Sequence, residues 1–226
     1  MREYSVSKRF GCKEKITGRM TEVMRMFGVR TGQLAEHSPN YECRVKVDEG
    51  DIVYITGPSG SGKSVLLGEL ERAVPAGERI NLKEIKPNGW ARPASDKTLI
   101  DCIEGDVLAG LRLLSTAGLN DVFCVLSRPA NLSEGQRYRF RLAMALAAGK
   151  KFIFADEFCS NLDRITAAVV AYNIRKFAKK TGVIFMLAGS CEDILADLLP
   201  DVLIVKELSG PAEVIYSNRP MVIFSE

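Results

Sequence analysis

The sequence predicts an α/β fold: a mostly parallel central sheet, an antiparallel β addition at the N-terminus and a short helical insertion. Three observations predict it. From residue 50 onward, apolar β-branched runs alternate with segments whose apolar residues recur at three- and four-residue spacing. A glycine-rich loop, Gly57-Pro58-Ser59-Gly60-Ser61-Gly62-Lys63-Ser64, separates one such run from one such segment. The 226 residues, 46% hydrophobic and 26% charged, are enough to close a core of this kind.

In chain order, the spacing predicts strands over 52–56, 152–155, 183–187 and 202–206, with helices over 63–74, 134–148, 165–180 and 192–199. Residues 1–50 read as strand, helix, loop and strand, with 4–10 and 43–47 as extended pieces added antiparallel to the main sheet. Residues 86–98 are rich in loop formers and read as a linker into a small helical insertion that ends near residue 132. One domain, 1–226, is expected. Its regions are an antiparallel N-terminal part (1–50), a loop-bearing core (51–85), the insertion with the helix that follows it (86–149), and an acidic-strand core with C-terminal strands (150–226).

Charge excludes little: 31 basic and 28 acidic residues leave a net +3, too slight to indicate a polyanion or a membrane surface. Apolar runs such as 142–149 fall well short of the ~18 residues a spanning helix needs. Met1-Arg2-Glu3-Tyr4 leads into a mixed polar segment rather than an apolar signal, so a cytoplasmic address without membrane insertion is expected. The six cysteines (Cys12, Cys43, Cys102, Cys124, Cys159, Cys191) form no CxxC pair and read as buried thiols, not as a metal site or a disulfide framework.

The glycine-rich loop matches GxxxxGK[ST] and lies where that motif must lie, after a strand and before a helix. Glycines let consecutive backbone N–H groups turn onto one anion, and the following helix adds its positive end. Gly57 to Ser64 by position, with Val65 behind them, are therefore candidate ATP contacts. Lys63 is placed to reach the β- and γ-phosphates, and the Ser64 hydroxyl to hold Mg²⁺. The apolar strand Phe152-Ile153-Phe154-Ala155 ends in Asp156 and Glu157, which projects two carboxylates at the edge where α/β sheets bind ligands. Asp156 is the candidate metal ligand and Glu157 the candidate base for the attacking water.

Leu132-Ser133-Glu134-Gly135-Gln136 opens a predicted helix. It resembles LSGGQ, the signature of the ABC ATPase superfamily, with Glu134 in place of the first glycine. Asp156-Glu157, the D-loop-like Ser160-Asn161-Leu162-Asp163, and the order of loop, signature and acidic strand agree, and the likeness runs over about 43–207. It implies a P-loop NTPase fold of the ABC type, with 1–50 on the adenine side, and a homodimer that sandwiches ATP head to tail. Ser133, Gly135 and Gln136 of one copy are then expected to meet the γ-phosphate on the other, with Asp163 at the seam. Within the superfamily, the segments 132–148 and 152–168 most resemble soluble ABC ATPases sometimes fused to an acetyltransferase-like domain.

The sequence also departs from the family. The histidine slot that contacts the γ-phosphate falls on Cys191, which becomes a candidate catalytic residue. A thiol is a poor donor, so slow hydrolysis is expected. His37, the only histidine, lies in a polar loop. The family's loop glutamine has no counterpart, since Gln33 and Gln136 lie elsewhere; Asn88, Asp96 and Asp101 are the candidate substitutes. Phe10, Phe27 and Tyr41 are candidates to stack on adenine, with Phe27 preferred because it follows a helix and precedes a loop, while Trp90 reads as an anchor for its own loop. Arg137, Arg139 and Arg141 leave a nucleic-acid surface open beside a solvated or acid-paired helix face. Lys176, Lys179 and Lys180 complement the end of their helix. The main expectation is a soluble ATPase acting on nucleic acid or protein. The alternatives are a transporter's nucleotide-binding subunit docked through 86–131, disfavoured by the short insertion, and an ATP sensor of low turnover.

Overall fold

A computed structural model describes residues 1–9, 16–30, 40–86, 96–191 and 193–217. The chain opens with β1 (Arg2–Arg9), α1 (Gly18–Met26) and β2 (Asn40–Val47), and continues through β3 (Ile52–Thr56), α2 (Lys63–Ala73) and β4 (Arg79–Asn81). The insertion carries α3 (Val107–Thr116) and α4 (Val122–Val125), capped by the carboxylates of Asp106 and Asp121. Then follow α5 (Glu134–Ala147), β5 (Phe152–Ala155), α6 (Arg164–Thr181), β6 (Ile184–Ala188), α7 (Leu195–Leu198), β7 (Val202–Val205) and β8 (Glu213–Tyr216).

Six strands form the central sheet in the order β4-β5-β6-β3-β7-β8, parallel except for the last pair. Every residue of β3, β5 and β6 is buried, as expected of strands covered on both faces. Their alternation feeds two cores. Ile52, Tyr54, Ile153, Ala155, Phe185 and Leu187 pack toward Phe140 of α5 and Val170 and Ile174 of α6. Val53, Ile55, Phe152, Phe154, Ile184 and Met186 pack toward Leu66, Leu67 and Leu70 of α2.

From residue 50 onward the predicted strands and long helices lie within a residue of their observed positions, while the extended pieces expected over 4–10 and 43–47 begin two and three residues earlier, at Arg2 and Asn40; three further differences stand out. β1 and β2 pair antiparallel with each other, Tyr4 opposite Val45, but form a two-stranded sheet of their own instead of extending the main one. Val6, Val45 and Val47 bury against the α2 face, and the Lys46 N–H donates to Tyr216 Oη of β8 (2.9 Å), so the pair is held by packing and isolated hydrogen bonds rather than by a shared ladder. The helix expected over 192–199 shrinks to Leu195–Leu198, with residue 192 outside the described residues. β4 is too short and too polar to announce itself, yet it pairs with β5, Asn81 opposite Phe154. The described cysteines Cys43, Cys102, Cys124, Cys159 and Cys191 are free thiols, and Cys12 lies outside the described residues.

Candidate functional site

The glycine-rich loop begins where β3 ends. Gly57 has φ +142, and a Cβ there would lie 2.0 Å from the Lys206 carbonyl oxygen, so only glycine allows the turn. The loop closes on itself through Ser61 N–H to the Pro58 carbonyl (3.2 Å) and ends at Gly62, the left-handed N-cap of α2. Lys63 Nζ donates to the carbonyls of Gly57 (2.7 Å) and Pro58 (2.9 Å), holding its ammonium over the loop.

Ser64 Oγ donates to Asp156 Oδ1 at 3.0 Å, which joins the loop to the end of β5. The Glu157 N–H reaches the same oxygen (3.1 Å), and Lys83 Nζ donates to Asp156 Oδ2 at 2.5 Å. Glu157 is exposed and has φ +52, a left-handed conformation that a glutamate adopts only where its surroundings enforce it. A cleft of about 320 Å³ is lined by Ser59, Gly60, Gly62, Lys63, Ser64, Val65, Asp156, Glu157, Gly189 and Ser190.

The sequence assigns the last part of this cleft to Cys191, and the structure puts Ser190 there instead. The Cys191 carbonyl accepts from Tyr54 Oη at 2.9 Å, and its half-buried side chain packs against the core beneath. Gly189 makes the close approach possible, since a Cβ on it would lie 2.5 Å from Tyr54 Oη. Ser190 was legible only as a small polar residue at the end of an apolar run.

Ser133, Gly135, Gln136 and Asp163 do not line this cleft. Ser133 caps α5 in a reciprocal box: its Oγ accepts from the Gln136 N–H (3.3 Å), and Gln136 Oε1 accepts from the Ser133 N–H (2.9 Å). Gly135 lets the following turn come close, for a Cβ on it would meet Leu162 Cδ2 at 3.3 Å and the Asn161 carbonyl at 3.4 Å. Asp163 caps α6 through the Thr166 N–H (3.0 Å), and the Thr166 side chain, together with that N–H, holds its carboxyl below the usual range. Signature and D-loop thus meet each other at the N-termini of two helices. Just before them, Cys159 (φ +59) donates its N–H to Tyr138 Oη at 3.1 Å, and burial pushes its thiol up to about 12.

Phe27 follows α1 and is 77% exposed. Phe10, Gln33, His37, Asn88 and Trp90 lie outside the described residues, as does the side chain of Tyr41. The other two glutamine substitutes are engaged within the insertion. Asp96 pairs with Arg128 at 2.9 Å, and Asp101 Oδ2 accepts from the Thr98 N–H (3.0 Å) and hydroxyl (2.6 Å). Arg137 and Arg139 turn back onto the chain, donating to the carbonyls of Ala130 (3.2 Å) and Gly118 (2.8 Å). At the end of α6, Lys179 pairs with Asp201 at 2.7 Å and Lys176 lies over the Tyr172 ring. Among the described residues no cluster of three or more His, Cys, Asp or Glu side chains is arranged to hold a metal, and no helix is long and apolar enough to cross a membrane.

No protein-family model matches the chain. An uncharacterised ABC transporter ATP-binding protein of Thermotoga maritima is 33% identical over 162 residues, covering 58% of this chain and 68% of that protein. The lipoprotein-releasing system ATP-binding protein LolD of Anaeromyxobacter dehalogenans is 28% identical over 190 residues, covering 66% of this chain and 78% of its own length. Among solved structures, a bacterial ABC transporter cassette crystallised as a dimer superposes with a TM-score of 0.59 at 19% identity, over 77% of this chain and 89% of that one.

Proposed function

The chain belongs to the ABC ATPase family, and from that premise we propose that it hydrolyses Mg-ATP between two head-to-tail copies as the nucleotide-binding subunit of an ABC transporter. The observation that carries the ATPase reading is the 3.0 Å bond from the Ser64 hydroxyl to Asp156, which brings loop and acidic strand to one point. The residues fit the nucleotide. Among the described residues, buried Ser61 Oγ has no hydrogen-bond partner and Lys63 has carbonyls to exchange for phosphate oxygens, while the loop N–H groups and the start of α2 offer positive potential.

Ser64 and Asp156 are the residues that would hold Mg²⁺, which supplies charge neutralisation to the β- and γ-phosphates when bound. Glu157, exposed at the mouth of the cleft, takes a proton from the attacking water as the bond to the leaving ADP oxygen breaks. Ser190 stands beside the same space with a hydroxyl, a better donor than the Cys191 thiol. Ser133, Gly135 and Gln136, already ordered by the capping box, present the N-terminus of α5 to the partner copy, with Asp163 at the seam.

The transporter assignment is supported by the relatives, one an ABC transporter ATP-binding protein and one the ATP-binding protein of a lipoprotein-releasing system, and by the surface of the insertion. Val107, Leu108, Leu111, Val122 and Phe123 on α3 and α4, with Leu126 just after α4, are all exposed, Phe123 at 84%. Beside them, a groove of about 1110 Å³ between α3 and α6 carries Arg112, Lys176 and Lys180, with Arg175 and Lys179 there already engaged by the Leu199 carbonyl and by Asp201. An apolar face with a basic border fits an acidic amphipathic segment of a membrane partner, met from the cytoplasmic side. The proposal follows the relatives rather than the narrower likeness to acetyltransferase-fused soluble ATPases. It also sets aside a nucleic-acid load, since Arg137 and Arg139 are committed to backbone carbonyls.

The test is the size of Glu157→Gln in solution with and without Mg-ATP. A nucleotide-dependent dimer is expected, together with loss of phosphate release. A strictly monomeric variant at saturating Mg-ATP would reject the shared site, and a salt-steep affinity of the wild type for duplex DNA would reject the transporter reading.

A further inference from the structure

The Asp156 carboxylate is fully engaged in this structure. One oxygen accepts from Ser64 Oγ and the Glu157 N–H, and the other from Lys83 Nζ at 2.5 Å. The lysine is aimed there by the fold. β4 and β5 run parallel with Asn81 opposite Phe154, so the chain leaves both strands in step: Lys83 is two residues beyond Asn81, as Asp156 is beyond Phe154. The turn that carries it is fixed, because Asn81 Oδ1 accepts from the Lys83 N–H (2.9 Å), Asn81 Nδ2 donates to Glu71 of α2 (2.6 Å), and Leu82 is buried. The Lys83 side chain itself is 63% exposed, while that of Asp156 is 9% exposed.

A nucleoside triphosphate entering this cleft meets two carboxylates, Asp156 and Glu157, beside Lys63. Without a divalent ion, unopposed carboxylates repel the phosphates. We propose that Lys83 is a positioning residue that acts through Asp156: its ammonium is a built-in counter-cation that lets the cleft accept the triphosphate before or without a divalent ion. The ammonium side of the pair is open to water, so Lys83 can exchange Asp156 for solvent when that carboxylate is needed as a metal ligand. The position is the connection from the sheet to the insertion, where no glutamine is available. The inference rests on the ATPase reading of the cleft and adds to it a reduced dependence of nucleotide binding on the metal.

The experiment titrates a fluorescent, non-hydrolysable ATP analogue into the full chain with excess Mg²⁺ and, separately, with EDTA. Lys83→Met is expected to weaken binding on the order of fivefold in EDTA, the scale of one charge contact near a protein surface, and to leave the Mg²⁺ arm within about twofold. Lys83→Arg restores the EDTA arm. In an Asp156→Asn background, Lys83→Met has no further effect in EDTA, because the charge that it opposes is gone. Equal EDTA affinities for wild type and Lys83→Met overturn the proposal, and so does a loss that persists in the Asp156→Asn background, which would put Lys83 on the phosphates directly. Lys63→Ala separates the two readings: if it weakens binding in both arms while Lys83→Met changes neither, the ATP site stands and the role of Lys83 falls. If Lys63→Ala changes nothing, both fall. Circular dichroism melting of each variant confirms that it is folded.

Discussion

Lys63 satisfies its ammonium on two carbonyls of its own loop, contacts that phosphate oxygens readily replace. Charged hydrogen bonds contribute roughly 1.5–3 kcal/mol each, so Lys63→Ala is expected to weaken ATP binding by roughly one to two orders of magnitude, measured by equilibrium titration. Gly57→Ala belongs to a different class of change. Its Cβ would collide with the Lys206 carbonyl, and the positive φ adds backbone strain, so a loss on the order of 3 kcal/mol and a fall in Tm of roughly 6–12 °C are expected by calorimetry. The thiols give a pH-linked prediction. Burial raises Cys43 to about 11 and Cys159 to about 12, so both stay neutral at pH 8 and resist alkylation by iodoacetamide until the chain is denatured. Mass spectrometry of the labelled peptides checks this, and early modification of Cys159 would contradict its placement.

At the scale of elements, Ser133 has two duties that must be separated. It caps α5 now, and it is proposed to meet a phosphate of the partner copy. Ser133→Ala removes both and costs about 1 kcal/mol of stability through the cap alone. Ser133→Asn keeps a capping side chain, so its Tm is expected to stay near that of the wild type while ATP-dependent dimerisation of a Glu157→Gln background weakens. A dimer of unchanged affinity would leave Ser133 as a cap only. The elements that sequence reasoning found best are those with the most redundant signals. β3, β5 and β6 are apolar throughout because both faces are covered, and α5 announces itself by serine, glutamine and an apolar stripe. β4 was missed because three residues, Arg79, Ile80 and Asn81, carry no period. Lys83 was missed with it: without β4 and its register, nothing in the sequence puts residue 83 beside residue 156. Ser190 was hidden for a related reason, since which of two adjacent residues faces the cleft depends on the Tyr54 hydroxyl, 137 positions away from Cys191.

For the whole molecule, the cleft holds the phosphate loop and both carboxylates, while the signature and Asp163 lie off it at two helix starts. That division is what the proposed two-copy site requires, and under that proposal turnover is expected to rise steeply with protein concentration. The apolar insertion face adds a separable prediction. Under the transporter proposal, Phe123→Asp is expected to leave affinity for Mg-ATP unchanged, since it lies outside the cleft, yet to abolish stimulation of phosphate release by a membrane partner in reconstituted vesicles. The two-stranded sheet of β1 and β2 has a consequence of its own. Its ladder is not shared with the central sheet, and the face it buries is that of α2, the helix that begins at Lys63. It can therefore open as a local unit while the six-stranded body stays closed. Whatever clamps the start of α2 steadies the floor on which these strands rest, so amide protons some distance from any phosphate should exchange more slowly once the loop is gripped.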